Sequence, residues 1–223
     1  MPASADFWQF FDQSVAPHLM QRAAGFRQIF AYLDSRPQPV AIIETGCVRK
    51  DSDWGDGKST VLFAKYAECH PGSIVYSVDR DAAAVALCRT LVGEAVRLHC
   101  GDSVAFLKSL ADRPPANLAP IGLLYLDSYD VDFTNPLPSS IHHLKELAAI
   151  APLLSADTLV VVDDSPMSVL GVPQAPGQLR LISQPQVSGK GKLIAEYAEQ
   201  IGAPRVISGY QMGWTGLGRP SDG

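Results

Sequence analysis

Leu123-Leu124-Tyr125-Leu126-Asp127-Ser128 and Leu159-Val160-Val161-Val162-Asp163-Asp164 are two short apolar runs that end in carboxylates. Runs of about four to eight apolar residues with polar boundaries are typical of buried parallel strands. Open α/β sheets bind ligands at the carboxyl ends of such strands. If these strands are neighbours, Asp127, Asp163 and Asp164 lie together. Such carboxylates repel one another unless a cation lies between them or one is protonated.

The rest of the chain alternates predicted strands with predicted helices. The further strands are predicted at 40–43, 73–79, 95–100, 204–208 and 210–215. The helices between them are predicted at 61–66, 82–92, 104–111, 139–154 and 190–200. This alternation predicts an α/β fold, with a doubly wound, mostly parallel sheet and right-handed crossovers.

Two segments lie outside this alternation. Residues 6–34 show apolar residues at helical spacing and are predicted as two helical segments that meet near Pro17. We expect a helical N-terminal cap at 1–36 and the main domain at 37–223, with plain core helices as the alternative. Residues 165–189 are rich in Pro, Gly, Ser and Gln and are predicted as a mobile loop beside a site.

Composition limits the classes of function. The chain has 223 residues, 47% of them hydrophobic, and a formal net charge of −5. Without a Lys/Arg run, nucleic acid and anionic membranes are not expected as partners. The four cysteines lack metal-site spacing and are predicted to be reduced thiols. No signal peptide and no apolar run of the ~20 residues that span a membrane are recognised, so a cytoplasmic location is expected.

The ends of the first strands carry the residues expected at a nucleotide site. Glu44 and Gly46 follow the first strand, and a small residue there lets the backbone approach a ligand. Gly57 opens the next helix, whose first N–H groups are free to bind. Asp79 ends the second strand, about twenty residues after Gly57, as suits a ribose diol. In isolation, Asp79 is equally well explained as a helix N-cap.

Five motifs together resemble those of a known family. Ile43-Glu44-Thr45-Gly46, Val78-Asp79, Gly101-Asp102-Ser103, Leu126-Asp127-Ser128 and Val161-Val162-Asp163-Asp164 resemble the successive motifs of class I S-adenosylmethionine-dependent methyltransferases. The resemblance covers residues 40–215. It is strongest to small metal-dependent O-methyltransferases, namely the macrocin and aminocoumarin-sugar enzymes, and to the cephalosporin-hydroxylase/rhamnosyl-methyltransferase group.

The resemblance implies a Rossmann-like methyltransferase sheet and a cofactor site. Glu44 and Gly46 would line the methionine end of S-adenosylmethionine, and Asp79 would bind the ribose. Asp102 and Ser103 would meet the adenine. One departure is the polar stretch 48–56 before the helix, which is either a lid over the site or a surface loop.

The resemblance also implies that Asp127, Asp163 and Asp164 hold a divalent cation. Carboxylates are hard oxygen donors that suit Mg²⁺. A bound cation would orient a substrate hydroxyl and lower its pKa. The alternative for Asp163 and Asp164 is a strand-end turn stabilised by caps.

The general base is left among several residues. Catechol-type relatives have a lysine three residues after the metal-binding acid, where this chain has Asp130. The candidates are Asp127, Asp130, His142 and His143, and histidine has the pKa suited to proton transfer near neutrality.

These observations predict a Mg²⁺-assisted O-methyltransferase that acts on a hydroxyl group of a small molecule. Oligomeric state, including a homo-oligomer, is left open. One alternative is a P-loop NTPase or kinase, because Gly57-Lys58-Ser59 matches the end of a Walker A motif. That motif requires an earlier glycine where the chain has Ser52. The other alternative is a non-catalytic cofactor-binding protein on the same fold.

Overall fold

A computed structural model describes residues 3–52, 54 and 58–218 of the chain. Its strands are β1 Ala41–Thr45, β2 Ile74–Asp79, β3 Val96–Cys100, β4 Ile121–Leu126, β5 Leu159–Val162, β6 Met167–Ser168, β7 Gly171–Ala175, β8 Gln178–Leu181, β9 Gln186–Val187, β10 Arg205–Ser208 and β11 Met212–Trp214. Its α-helices are α1 Ala3–Phe10, α2 Ala23–Asp34, α3 Ser59–Cys69, α4 Ala82–Leu91, α5 Ser103–Asp112, α6 Leu137–Ile150 and α7 Lys192–Gln200.

Among the described residues, seven strands form one sheet in the order β10-β11-β5-β4-β1-β2-β3. The strands from β3 to β5 along this order pair in parallel, whereas β11 pairs antiparallel with both β5 and β10. The predicted doubly wound, mostly parallel sheet is confirmed. β4 and β5 are neighbours, so the acids that follow them lie at one edge of the sheet.

The sheet buries both of its faces. Tyr125 of β4 packs in an aromatic core with α1, α2 and α3, while its neighbours Leu124 and Leu126 pack on the other face with residues of α5, α6 and α7. Successive side chains of a strand point to opposite faces. An uninterrupted apolar run such as β4 therefore suits a sheet covered by helices on both sides.

The N-terminal segment is helical, as predicted, but it is broken into shorter pieces. A π-helical turn at Phe11–Val15 and 3₁₀ turns at Ala16–His18 and Met20–Arg22 separate α1 from α2. The phenylalanines of this segment lie in the same core as β4 and β5. The segment thus packs as part of the main core, although the predicted boundary at residue 36 stays a prediction.

The segment predicted as a mobile loop at 165–189 contains regular structure. β6 pairs with β9, and β7 pairs with β8 as an antiparallel hairpin. The sequence prediction was wrong here because the strands are very short and interrupted by Pro173 and Gly177, which are typical of loops.

No helix in the described parts of the chain is long and apolar enough to cross a membrane.

We expect Phe30→Ala to lower the free energy of unfolding by about 3–5 kcal/mol, because it leaves a cavity in the aromatic core. Phe30 is fully buried, and its ring centroid lies 4.5 Å from that of Phe7 and 5.3 Å from that of Tyr66. Urea unfolding measures the change. The control is Phe133→Ala, whose side chain is 53% exposed and should cost about 1 kcal/mol or less. Equal losses in both variants would contradict this description of the core.

Candidate functional site

The turn after β1 brings its backbone against the end of β4. Gly46 has a φ of +87°, and a Cβ there would lie 2.7 Å from the carbonyl oxygen of Asp127. Only glycine is compatible with both the left-handed backbone and this contact. Gly46 also donates its N–H to the carbonyl of Val78, at 2.8 Å. The ends of β1, β2 and β4 are thereby held together at one point.

Asp79 ends β2 beside this turn. Its Oδ2 accepts a hydrogen bond from the N–H of Cys47 at 3.0 Å, and its Oδ1 accepts one from the N–H of Asp81 at 2.8 Å. Asp81, and not Asp79, is the N-cap of α4, where its side chain accepts from the N–H of Ala83. The N-cap explanation of Asp79 is therefore wrong, and its carboxylate instead ties β2 to the turn after β1.

Two neighbouring hollows lie at this edge of the sheet. One has a volume of about 200 Å³ and is lined by Gly46, Asp79 and Asp127 among others. The second has a volume of about 40 Å³ and is lined by Asp102, Ser103 and His142 among others. Asp79, Arg80 and Ser128 line both hollows, so they form one path along the strand ends. A larger hollow of about 440 Å³ beside α7 shares none of these lining residues.

The predicted adenine residues lie at the smaller hollow. Asp102 is the N-cap of α5, and its Oδ1 accepts from the N–H of Ala105 at 2.8 Å. The Oγ of Ser103 lies 3.0 Å from Nε2 of His142. The ring of His142 lies 5.3 Å from that of Tyr129, centroid to centroid. A flat heterocycle bound in this hollow would lie beside the rings of Tyr129 and His142. The polar side chains of Asp102 and Ser103 line the same hollow.

Gly57, the remaining predicted cofactor residue, lies outside the described residues, as does part of the 48–56 stretch. Lys58, which follows it, pairs with Asp51 at 3.0 Å, and its ammonium lies 4.8 Å from the centroid of the Trp54 ring. The Walker A lysine of the P-loop alternative is thus engaged within its own loop.

Asp127, Asp163 and Asp164 do converge, as predicted, but two cations of the same chain lie among them. The guanidinium of Arg22 contacts Asp163 and lies 3.9 Å from Oδ2 of Asp127. The ammonium of Lys190 contacts Asp127 and lies 2.9 Å from Oδ2 of Asp164. We call these five residues the charge cluster. Its two cations were missed because they are remote in sequence from the strand ends.

Burial and mutual charge shift the pKa values in the charge cluster. Burial raises the pKa of the Asp127 carboxyl to about 7, against the opposing effect of Lys190. Burial lowers the pKa of Lys190, but the attraction of Asp127 and Asp164 outweighs it and the pKa lies above its ordinary value. Lys190, which is 1% exposed, is therefore a buried ammonium ion.

Two tyrosine hydroxyls and one backbone N–H also donate hydrogen bonds to these acids. Tyr125 donates its hydroxyl to Oδ2 of Asp163 at 2.6 Å, and Tyr210 donates to Oδ1 of Asp164 at 2.6 Å. Oδ1 of Asp163 accepts from the N–H of Asp164 at 2.9 Å. Most of the carboxylate oxygens that the magnesium prediction requires are thus already bonded within the chain.

This donor set does not fit a divalent cation. Mg²⁺ requires several oxygen ligands in near-octahedral positions, and here the ammonium of Lys190 lies between two of the three acids. The described residues contain no group of three or more ligating side chains arranged to hold a metal ion. The prediction of Asp127, Asp163 and Asp164 as metal ligands therefore finds no support in the observed geometry.

The four candidate bases differ in their surroundings, and one of them, His142, lines the smaller hollow. Asp127 lines the larger hollow with a side chain that is 17% exposed. Asp130 is exposed and pairs with Arg49 at 2.9 Å. His143 is fully buried, its Nδ1 lies 2.7 Å from the carbonyl oxygen of Ser139, and burial lowers its pKa to about 4. His143 therefore has no surface through which to meet a substrate, because its face of α6 turns into the core.

Glu146 is a buried functional candidate that the sequence reading missed. Its Oε1 accepts from Ser128 at 2.6 Å and lies 3.3 Å from Nε2 of His142, and its Oε2 accepts from Thr45 at 3.2 Å. These hydrogen bonds join α6 to the ends of β1 and β4. His142-His143 with Glu146 on the next turn is the one sequence signal for this network, since such spacing puts them on one side of a helix.

Comparison with known proteins returns matches among solved structures alone, since no protein-family model and no curated protein matches the chain. One match is the MycE methyltransferase of the mycinamycin pathway, in complex with Mg, SAH and mycinamycin VI, with 19% identity and a TM-score of 0.45. It covers 64% of this chain, which spans only 32% of MycE.

Two further matches extend over nearly the full length of both chains. DesVI from Streptomyces venezuelae has 12% identity and a TM-score of 0.47, and the match covers 95% of this chain and 98% of DesVI. The sugar N-methyltransferase KedS8 from Streptoalloteichus has 11% identity and a TM-score of 0.47, with 95% and 92% covered. The observed order of strands, with β11 antiparallel between β5 and β10, carries the assignment of the fold.

The described residues form a Rossmann-like α/β fold, with five parallel strands followed by an antiparallel pair at one edge of the sheet.

Glu44, which was predicted to line the methionine end of the cofactor, lines neither hollow, but its burial in β1 allows a test of the electrostatics beneath the site. It is fully buried, accepts from Ser77 at 2.8 Å, and burial raises its pKa from 4.5 to about 8 against the opposing hydrogen bonds of Ser59, Thr60 and Ser77. The folded protein therefore holds a proton that the unfolded chain releases. The stabilisation of the folded protein by this bound proton is complete below pH 4.5. It is lost as the pH rises through 8.

We expect Glu44→Gln to remove this part of the pH dependence and to be more stable than the wild type at pH 8, by roughly 4 kcal/mol. Urea unfolding at several pH values measures it. Glu68→Gln, at an exposed residue paired with Lys65, is the control and should keep the wild-type profile. If the free energy of unfolding depended on pH in the same way in Glu44→Gln and in the wild type, Glu44 would be ionised in the folded protein as it is in the unfolded chain.

Proposed function

We propose that this chain is an S-adenosylmethionine-dependent methyltransferase. The observation that carries the proposal is the path of two hollows along the strand ends, with Gly46 at one side, Asp79 in the middle and Ser103 at the far side. Gly46 lets the turn after β1 lie against the backbone of Asp127 at the end where the methionine part would bind. The order of these residues along the sheet matches the order of the parts of the cofactor.

The cofactor supplies a methyl group on a sulfonium, which is already a good leaving group. The protein's task is then mainly to align the acceptor with that methyl group. Asp79 would accept hydrogen bonds from the ribose, and His142 and Tyr129 would flank the adenine. Asp127 lines the hollow beside Gly46, where the methionine part would lie. The acceptor would therefore approach from the side of the charge cluster.

We propose a hydroxyl of a small molecule, in the class of sugars and related natural products, as the acceptor. A hydroxyl must lose its proton during transfer, and Asp127 is the partly exposed carboxylate beside the predicted methyl position. A carboxylate positioned in this way can act as the general base. The sequence resemblance favours oxygen as the acceptor atom. The proposal leaves out metal assistance, since Lys190 and Arg22 already form ion pairs with the acids that were predicted as metal ligands.

We expect isothermal titration of the full chain to show binding of S-adenosylmethionine and of S-adenosylhomocysteine but not of ATP. Asp79→Asn should weaken binding roughly 10- to 100-fold, because it replaces a charged acceptor of the ribose hydroxyls with a neutral one. Asp112→Asn, at an exposed residue paired with Lys108, is the matched control and should bind normally. Binding of ATP alone would instead support the P-loop alternative.

We expect methylated products from a screen of matched hydroxyl and amino glycosides to carry the new methyl on oxygen. With any acceptor that turns over, Asp127→Asn should lower kcat about 100-fold or more while leaving the affinity for S-adenosylhomocysteine nearly unchanged. Mass spectrometry of the products identifies the methylated atom. Methylation of the amino glycosides alone would contradict the assignment of a hydroxyl acceptor, and an unchanged kcat would remove Asp127 as the base.

A further inference from the structure

The position of Lys190 in the charge cluster is determined by the backbone around it. The N–H of Lys190 donates to the carbonyl of Asp164 at 3.1 Å, and the N–H of Gly191 donates to Oγ of Ser165 at 2.8 Å. The hydroxyl of Ser165 in turn donates to the carbonyl of Asp163 at 2.7 Å. The segment that carries Lys190 is thus hydrogen-bonded along the same turn that carries two of the acids.

The residues on either side of Lys190 also require this close approach. Gly189 has a φ of +66°, and a Cβ there would lie 1.9 Å from the carbonyl oxygen of Asp164. A Cβ on Gly191 would lie 2.6 Å from Oγ of Ser165. Two glycines therefore let the backbone that carries Lys190 approach the Asp163–Asp164 turn closely. The ammonium of Lys190 therefore starts from a backbone position that is itself hydrogen-bonded to the turn that carries the acids.

The contacts in the charge cluster leave little space for an added cation between the acids. Arg22 and Lys190 oppose three carboxylates, and Lys190 lies between Asp127 and Asp164 where a bridging cation would bind. A divalent ion would have to expel an ammonium that is 1% exposed and detach it from two carboxylates. Removing one partner of a buried ion pair leaves the other charge uncompensated, which is strongly unfavourable.

We infer that Lys190, together with Arg22, is a cation built into the chain that takes the place of a divalent metal ion at the ends of β4 and β5. Lys190 is a positioning residue: it holds Asp127 at the hollow and keeps Asp164 beside it. The meaning of this for methyl transfer rests on the proposed function, whereas the occupation of the cation position does not. The enzyme would then require no added divalent metal.

The test measures binding of Mn²⁺, as a spectroscopic probe for Mg²⁺, by electron paramagnetic resonance of the full chain. We expect the wild type to bind no Mn²⁺ stoichiometrically and to keep the same Tm in Mg²⁺ and in EDTA. Stoichiometric Mn²⁺ binding by the wild type that is lost in Asp163→Asn would overturn the inference. This measurement needs no variant of Lys190, so it decides even where such a variant fails to fold.

Lys190→Ala provides the complementary measurement. It should lower the Tm by roughly 10 °C, because it leaves the carboxylates uncompensated. It should also gain Mn²⁺ binding, and Mg²⁺ should raise its Tm. Lys192→Ala, two residues later at a half-buried lysine paired with Glu196 at 2.5 Å, is the matched control and should gain neither. A folded Lys190→Ala that binds no Mn²⁺ would show that Lys190 does not occupy a cation position.

The same samples are titrated with S-adenosylhomocysteine. If the cofactor fails to bind while the metal results are as expected, the proposed function is wrong and the assignment of Lys190 stands. If the cofactor binds and the wild type also binds Mn²⁺, the proposed function stands and the assignment of Lys190 is wrong.

Discussion

The attraction between three carboxylates and two buried cations is the interaction on which the rest of this structure depends. Asp127, Asp163 and Asp164 follow two neighbouring strands, and without the opposite charges of Arg22 and Lys190 their repulsion would be strongly unfavourable in a buried place. Arg22 comes from the N-terminal segment, and Lys190 follows the hairpin of β7 and β8. The charge cluster therefore joins three parts of the chain that are far apart in sequence.

Tyr125 connects the charge cluster to the aromatic core. Its hydroxyl donates to Asp163 and accepts from Gln211 at 2.7 Å, while its ring lies 5.7 Å from that of Phe26 and 5.1 Å from that of Phe63. A change in the packing of the N-terminal helices would therefore reach the site through both Arg22 and Tyr125. The stability of the core and the geometry of the candidate site are coupled for this reason.

The candidate site was predictable where it follows from strand ends. Gly46, Asp79 and Asp127 each lie at the end of a predicted strand, and parallel strands bring their carboxyl ends to one edge of the sheet. His143 was placed less well, because its neighbours on α6 allow it to face either the hollow or the core, and it faces the core. Asp130 likewise follows β4 closely and lines the larger hollow, but it is exposed and paired with Arg49.

The sequence by itself determined the class of fold and the edge of the sheet at which the acids collect, because apolar runs and the residues that end them are local features. Only the tertiary structure decided what neutralises those acids. Arg22 and Lys190 resemble any other arginine and lysine in the sequence, and the glycines beside Lys190 resemble loop residues. Their roles arise from contacts between separate segments of the chain, which for Arg22 lie more than a hundred residues apart, and the family resemblance led instead to a metal ion. The physical reason is that charge compensation depends on distance in space, which local sequence patterns do not encode.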